Sequence, residues 1–215
     1  MNLTRLAAIE TFLRGRLTAP LPGADAHLRF APRPARDAWR PDDRPLSARQ
    51  AAALVLLYPG DQGATIPLTV RHSDLPHHPG QVSLPGGRID VPETAESAAL
   101  RETYEEIGVR PERVRLLGAL SSLWVIVSNH LVQPFVGITD TRPEFQLAAG
   151  EVEALVELPL ASLHDITRIG WERRVRDGVQ IDYPYFSLAD HQVWGATAMI
   201  LGEFGALFEP GFGPA

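Results

Sequence analysis

The sequence predicts an α+β fold, a three-layer α/β/α sandwich around a central mixed sheet, on three observations. Short apolar or alternating runs at 51–58, 66–71, 114–121, 131–138 and 151–160 have strand character. One long helical pattern, 95–107, falls between the second and third of these runs. A second helical pattern closes the chain at 192–204. Strands on both sides of one central helix, with another helix after the last, call for a sheet covered on two faces. A chain of 215 residues has room for one well-buried domain and not for two full ones. The predicted organisation is an N-terminal helix and extended Pro/Arg-rich wrap at 1–48, a core domain at 49–206, and a short tail at 207–215.

In chain order, residues 2–18 place Leu6, Ile9, Phe12 or Leu13, and Leu17 at helical spacing, as for a helix on the outside of the domain. Residues 19–47 are dominated by proline and arginine and read as an irregular wrap, with Leu28, Phe30 and Trp39 as anchors. Ala51–Tyr58 is a buried strand, Pro59–Gly63 a turn, and Ile66–Arg71 the second arm of a hairpin. A loop with three histidines, His72, His77 and His78, leads to Leu84-Pro85-Gly86-Gly87. No carboxylate or cysteine stands at ligand spacing from these histidines, so they read as surface-loop residues rather than metal ligands.

Thr94 suits a helix N-cap, Ala95 and Glu96 open the first turn, and Gly108 suits a left-handed C-cap. At 3.6 residues per turn, Glu102, Glu105 and Glu106 share one arc. Ala99, Leu100, Thr103 and Ile107 form the neighbouring, core-facing arc. Like charges at i, i+4 cost a helix a few tenths of a kcal/mol, so such a face is either solvated or bound to a cation. A solvated face with Arg101 paired to Glu105 is the plain alternative. Hard oxygen donors at this spacing suit Mg²⁺ or Mn²⁺.

After the helix, 114–121 and 131–138 read as strands, and Glu151 opens another that ends at Pro159. Residues 171–186 form a hairpin turning at Asp177-Gly178, whose Arg173, Arg174 and Arg176 face substrate or guard an edge. Trp194 lies in the closing helical segment, 192–204, and reads as a packed core aromatic rather than a platform for a ligand.

The set Gly87, Glu93, Arg101, Glu102, Glu105, Glu106, Gly108 and Val109 resembles, in identity and spacing, the signature of the Nudix hydrolases. Thr103 departs from it, standing where the family has an aliphatic residue; its hydroxyl can bond the carbonyl of residue 99. The resemblance covers roughly residues 50–205. It implies a Nudix fold and a metal-dependent hydrolase of diphosphates, with Mg²⁺ or Mn²⁺ as cofactor. It implies Glu102 and Glu106 as principal ligands, Glu105 sharing, and the Gly86 carbonyl as a further ligand. Arg101 and Glu93 would brace loop and helix. Glu102, Glu105 and Glu151 are the candidates for general base.

Upstream, Leu68-Thr69-x-Arg71, Gly80-x-Val82 and Pro85-Gly86-Gly87 resemble the additional motif of the coenzyme A pyrophosphatase branch. The match is partial, with His72, Pro76 and Leu84 at differing positions. It implies a small-molecule substrate of the coenzyme A class, with Arg71 and Gly80 in substrate binding. Another nucleoside diphosphate, such as ADP-ribose or NADH, is the nearest alternative, and a non-catalytic binding module is a more distant one.

Composition bounds the rest. A net charge of −6 argues against broad nucleic-acid binding. All 20 basic residues are arginine, so any charged phosphate contact falls to arginine or histidine. With no cysteine, disulfides and thiolate chemistry are excluded, which fits a reducing cytoplasm. No leader peptide and no membrane span are expected. Monomer and homodimer stay open.

Overall fold

The computed structural model describes residues 6–35, 39–75, 79–176 and 178–208. Two helices come first, α1 (Leu6–Arg16) and α2 (Gly23–Arg29), then strands β1 (Arg49–Gly60), β2 (Gly63–Arg71), β3 (Val82–Ser83) and β4 (Gly86–Arg88). Helix α3 (Ala95–Ile107) is followed by β5 (Arg115–Ala119), β6 (Leu123–Val125), β7 (His130–Ile138) and β8 (Val152–Pro159). Strands β9 (Ile169–Arg176), β10 (Val179–Leu188) and β11 (His191–Trp194) lead to α4 (Gly195–Ala206).

β1 is the axis of the sandwich. It runs parallel to β7, from Arg49 opposite His130 to Leu57 opposite Ile138, and turns through Gly60 and Gly63 into an antiparallel hairpin with β2. The larger sheet runs β3-β2-β1-β7-β5, with β4 on β1, β6 on β7 and β8 on β2; the mixture of parallel and antiparallel pairs is the predicted one. A second, antiparallel sheet holds β9, β10 and β11.

Alternation along β1 divides the core. Ala52, Leu54 and Leu56 pack with Phe135 beneath Ala98, Ala99 and Ile107 of α3. Ala53, Val55 and Leu57 point the other way, into a cluster with Ile9 and Leu13 of α1, Phe30, and Ile200, Leu201 and Phe204 of α4. A strand covered on both faces needs a continuous apolar run, and each fully buried Val or Leu contributes roughly 1.5–3 kcal/mol. Among the described residues no helix is long and apolar enough to cross a membrane.

Several expectations need correction. α1 is not among them: it lies on the surface with Ala7, Ala8, Thr11 and Arg14 exposed, and buries Ile9 and Leu13 against the domain. The 19–47 wrap contains a helix, α2, held by the Glu203 carboxylate, which accepts from the Gly23 N–H at 3.0 Å. Phe30 and Trp39 are buried anchors, but Leu28 is exposed. The connection 122–130 contains β6, and the glycine loop at 86–88 is a short strand, because β7 and β1 supply their partners. In α3, Leu100 lies at the edge of the core, while Ala98 and Glu106 are buried with Ala99, Thr103 and Ile107. Trp194 ends a strand that precedes α4 and is only half-buried; its neighbour Val193 takes the core position. The hairpin 169–188 forms as predicted, although its turn residue Asp177 lies outside the described residues, as do Pro76, His77 and His78.

Candidate active site

α3 begins and ends as its sequence dictates. The Thr94 hydroxyl accepts from the Ser97 N–H at 3.2 Å, and Gly108 adopts φ +76° at the C-cap. Arg101 then ties the helix to the preceding loop. Its Nε and Nη2 donate to the two oxygens of Glu93 at 3.1 and 2.7 Å, and Nη2 also donates to the Arg88 carbonyl at 3.0 Å. This pairing holds the Glu93 carboxyl below the usual carboxylate range, and the Asp90 N–H bond to Glu93 acts in the same direction. The remaining nitrogen, Nη1, donates to Glu102 at 2.9 Å and to Glu105 at 2.8 Å. Arg101 is thus a brace between loop and helix and a bridge between two of the helix glutamates.

The loop must pass close to that helix. A Cβ on Gly87 would run into the Glu102 carboxylate, and one on Gly86 would strike the Ala52 carbonyl of β1. Two glycines let the backbone lie between strand and carboxylates, where the Gly86 N–H bonds Glu106.

Glu106 is the unusual member of the face. Its Oε2 is buried with no hydrogen-bond partner among the described residues. Burial, and then the charge of Glu102, push its pKa up to about 8, against the Gly86 N–H bond and the charge of Arg71; the charge of Glu151 adds to the rise. Burial also raises Glu102, opposed by Arg101. A buried carboxylate with an orphan oxygen beside a second raised carboxylate is short of positive charge, and hard oxygen donors so placed fit a divalent cation. Glu102 and Glu106 are the two whose carboxylates could hold one. The arrangement is not closed around an ion: among the described residues no three acidic or histidine side chains converge at ligand spacing. Arg101 holds Glu102 and the half-exposed Glu105.

Against this loop opens a cleft of about 1110 Å³. Gly86, Gly87 and Arg88 form its edge at the helix, and Arg71 at the end of β2 lines it nearby. Pro32, Pro34 and Trp39 give an apolar side, the turn 125–128 a second, and the β9–β11 sheet a third. Arg71, Arg88, Arg174 and Arg176 line it, while none of its described lining residues is Asp or Glu. His130, also on its wall, is kept below its ordinary pKa by burial first and then by Arg88 and Arg49.

The residues singled out from sequence are therefore distributed as follows. Glu102, Glu106, Arg101 and Gly86 meet at the loop–helix junction, and Glu151, exposed just before β8, stands close enough for its charge to act on Glu102 and Glu106. Glu105 turns outward to Arg101. Gly80 lies in a turn with φ +68°, its N–H donating to the Arg71 carbonyl at 3.0 Å, so it supports Arg71. His72 accepts from the Asp74 N–H at 3.2 Å in the same loop. Sequence reasoning missed Tyr183 as a cleft wall and took Trp194 for core in preference to a ligand platform. It also left Arg173, Arg174 and Arg176 undivided, although strict alternation would have put Arg174 and Arg176 on one face and Arg173 on the other.

Residues 48–175 match the family model described as NUDIX domain. The chain is 36% identical over 168 residues to a protein of Enterobacter sp. (strain 638) called "Uncharacterized Nudix hydrolase NudL", covering 74% of this chain and 82% of that one. It is 37% identical over 164 residues to "Nudix hydrolase 15, mitochondrial" of Arabidopsis thaliana, covering 71% of this chain and 56% of that protein. Among solved structures, the MutT protein of Methanosarcina mazei Go1 superposes with a TM-score of 0.50 at 14% identity, covering 77% of this chain and 99% of that one, a likeness of fold alone.

Proposed function

The chain belongs to the Nudix hydrolase family, and from that premise we propose that it cleaves the diphosphate of coenzyme A or an acyl derivative. The products are adenosine 3′,5′-bisphosphate and phosphopantetheine or its acyl form. The observation that carries the reading is the cleft at the glutamate helix. It is lined by four arginines and by no described carboxylate, in a chain of net charge −6. Small-molecule sites run to about 300–1,000 Å³, so a cleft of about 1110 Å³ suits a long substrate with several phosphates and an apolar arm.

In this reading Glu102 and Glu106 hold Mg²⁺ or Mn²⁺, with Glu105 and the Gly86 carbonyl as the further donors. The ion, when bound, supplies charge neutralisation of the diphosphate and a lowered pKa for water. Arg71, which lines the cleft close to Glu106, orients the diphosphate, and arginine can grip phosphate oxygens in pairs. Arg101 and Glu93 keep the loop on the helix so that the carboxylates stay in place. Three carboxylates are available to take the proton of the attacking water, Glu102, Glu105 and Glu151, and Glu151 is the one that Arg101 does not hold.

The test is the purified protein with Mg²⁺ or Mn²⁺ and a panel of coenzyme A, ADP-ribose, NADH and dinucleoside polyphosphates, compared by kcat/KM. Preference for coenzyme A is the expected result. Preference for another dinucleotide would keep the hydrolase and discard the substrate, and cleavage of none would turn the reading toward a binding module.

A further inference from the structure

The β9–β11 sheet turns one face to the cleft. Arg174 and Arg176 on β9, Val179, Ile181 and Tyr183 on β10 and Trp194 on β11 share that face by strand alternation and register, and all six line the cavity. Arg174 is fixed there by two rings. Its guanidinium carbon lies 4.5 Å from the Trp194 ring centroid and 5.4 Å from that of Tyr183, and the two rings meet edge-on at 5.7 Å. Its Nη2 donates to Glu172 at 2.7 Å, and the described residues offer Nε and Nη1 no acceptor. Arg173, one position away, projects to the other face, where Nε and Nη2 donate to Asp182 at 2.7 and 3.0 Å.

A guanidinium pinned on aromatic faces loses little freedom when it grips an anion, because its plane is already set. Arg71 is the arginine whose charge reaches Glu106, and it serves the diphosphate end. Arg174 stands on a different sheet, across the same cleft, and is available for a second anionic group. A phosphate monoester on the nucleoside half of the substrate has that chemistry: compact, multiply charged, and attached to a ring system that Trp194 and Tyr183 can flank.

We propose that Arg174, held on Trp194 and Tyr183, is a specificity-determining residue for the ribose 3′-phosphate that distinguishes coenzyme A from dephospho-coenzyme A. The assignment rests on the substrate reading above and deepens it. It also gives a physical reason for rejecting ADP-ribose and NADH, which lack that phosphate.

The experiment compares kcat/KM for coenzyme A and dephospho-coenzyme A, with Mg²⁺, in the wild-type chain and in Arg174→Ala, Arg174→Gln and Arg173→Ala. Wild type is expected to favour coenzyme A by about tenfold or more, the scale of one charge-assisted contact. Both Arg174 variants are expected to bring the ratio toward one, chiefly through KM. Arg174→Gln keeps a stem over Trp194, so agreement between the two variants separates lost charge from lost packing. Arg173→Ala is expected to retain the wild-type ratio. Coenzyme A turnover with a ratio unmoved by the Arg174 variants, or lowered equally by Arg173→Ala, would overturn this role and leave the substrate standing. Turnover of neither compound would sink both together.

Discussion

Two helices of this protein each bury a glutamate, and the two are treated in opposite ways. Glu203 of α4 is fully buried and well supplied: its oxygens accept from the Gly23 N–H at 3.0 Å and from the Ser121 N–H at 3.2 and 3.3 Å, and one faces His27 Nε2 at 3.0 Å. Glu106 of α3 is almost as deeply buried, yet one of its oxygens has no partner and its nearest carboxylate neighbour repels it. Burial with partners is a structural device, here joining α2 and the end of β5 to α4. For a carboxylate, burial without them costs stability. Between these two carboxylates, partnered against unpartnered burial, more than burial itself, separates scaffold from candidate site, although His27 Nδ1 beside Glu203 is also buried without a partner among the described residues.

The same substitution at the two positions should therefore fail in different currencies. Glu106→Gln is expected to lower kcat by on the order of 10³-fold, the scale of losing a ligand to a charge-neutralising ion. Its thermal unfolding near pH 7 should be almost unchanged, because Gln resembles the protonated Glu106 that the fold already favours. Glu203→Gln places an amide nitrogen among donors and is expected to cost about 3 kcal/mol in denaturant unfolding, with turnover per folded molecule retained. A stable, inactive Glu203→Gln or an unstable, active Glu106→Gln would reverse the assignment.

pH sharpens the contrast. The Glu106 pKa is raised from 4.5 to about 8 in the fold, so between those values the folded state holds the proton more tightly than the unfolded chain. Its contribution to stability therefore declines as pH rises from about 4.5 through about 8 in the metal-free protein. Subtracting the stability–pH curve of Glu106→Gln from that of wild type isolates this decline from the exposed ion pairs, and a flat difference would contradict it. A divalent ion needs the carboxylate ionised, so Mg²⁺ binding at pH 7 should release about one proton. Calorimetry in two buffers of different ionisation enthalpy reads that number directly.

Much of the site was legible because its signals are local. The cap Thr94, the stop Gly108, the glutamate spacing of α3 and the two close-packed glycines all lie within a short span of chain, and each is fixed by helix geometry or by steric demand. The axis strand β1 was legible for a similar reason, since burial on both faces writes an unbroken apolar run. What escaped is set by distant partners. β3, β4 and β6 are two or three residues long and exist only because β2, β1 and β7 pair with them. His27 and Glu203 are 176 positions apart, and neither carries a local mark of the other. Trp194 was misplaced because a tryptophan beside a helical pattern gives no sign of which sheet face meets a cavity.

The smallest expected effect tests the comparison from inside α3 itself. Thr103 is fully buried, one turn from Glu106, and its hydroxyl donates to the Ala99 carbonyl at 2.7 Å. It is thus a polar group on the glutamate helix that is partnered as Glu203 is. Valine has nearly the same shape, and the Ala99 carbonyl keeps its position in the helical hydrogen-bond ladder when the hydroxyl goes. Thr103→Val should therefore change stability by less than about 1 kcal/mol, since the lost bond is offset by the burial of a methyl group. Turnover should stay within about twofold, roughly 0.4 kcal/mol of barrier. A folded Thr103→Val that loses most of its turnover would mean that partnered burial on this helix also serves the chemistry, and the line between scaffold and site would have to be redrawn through α3.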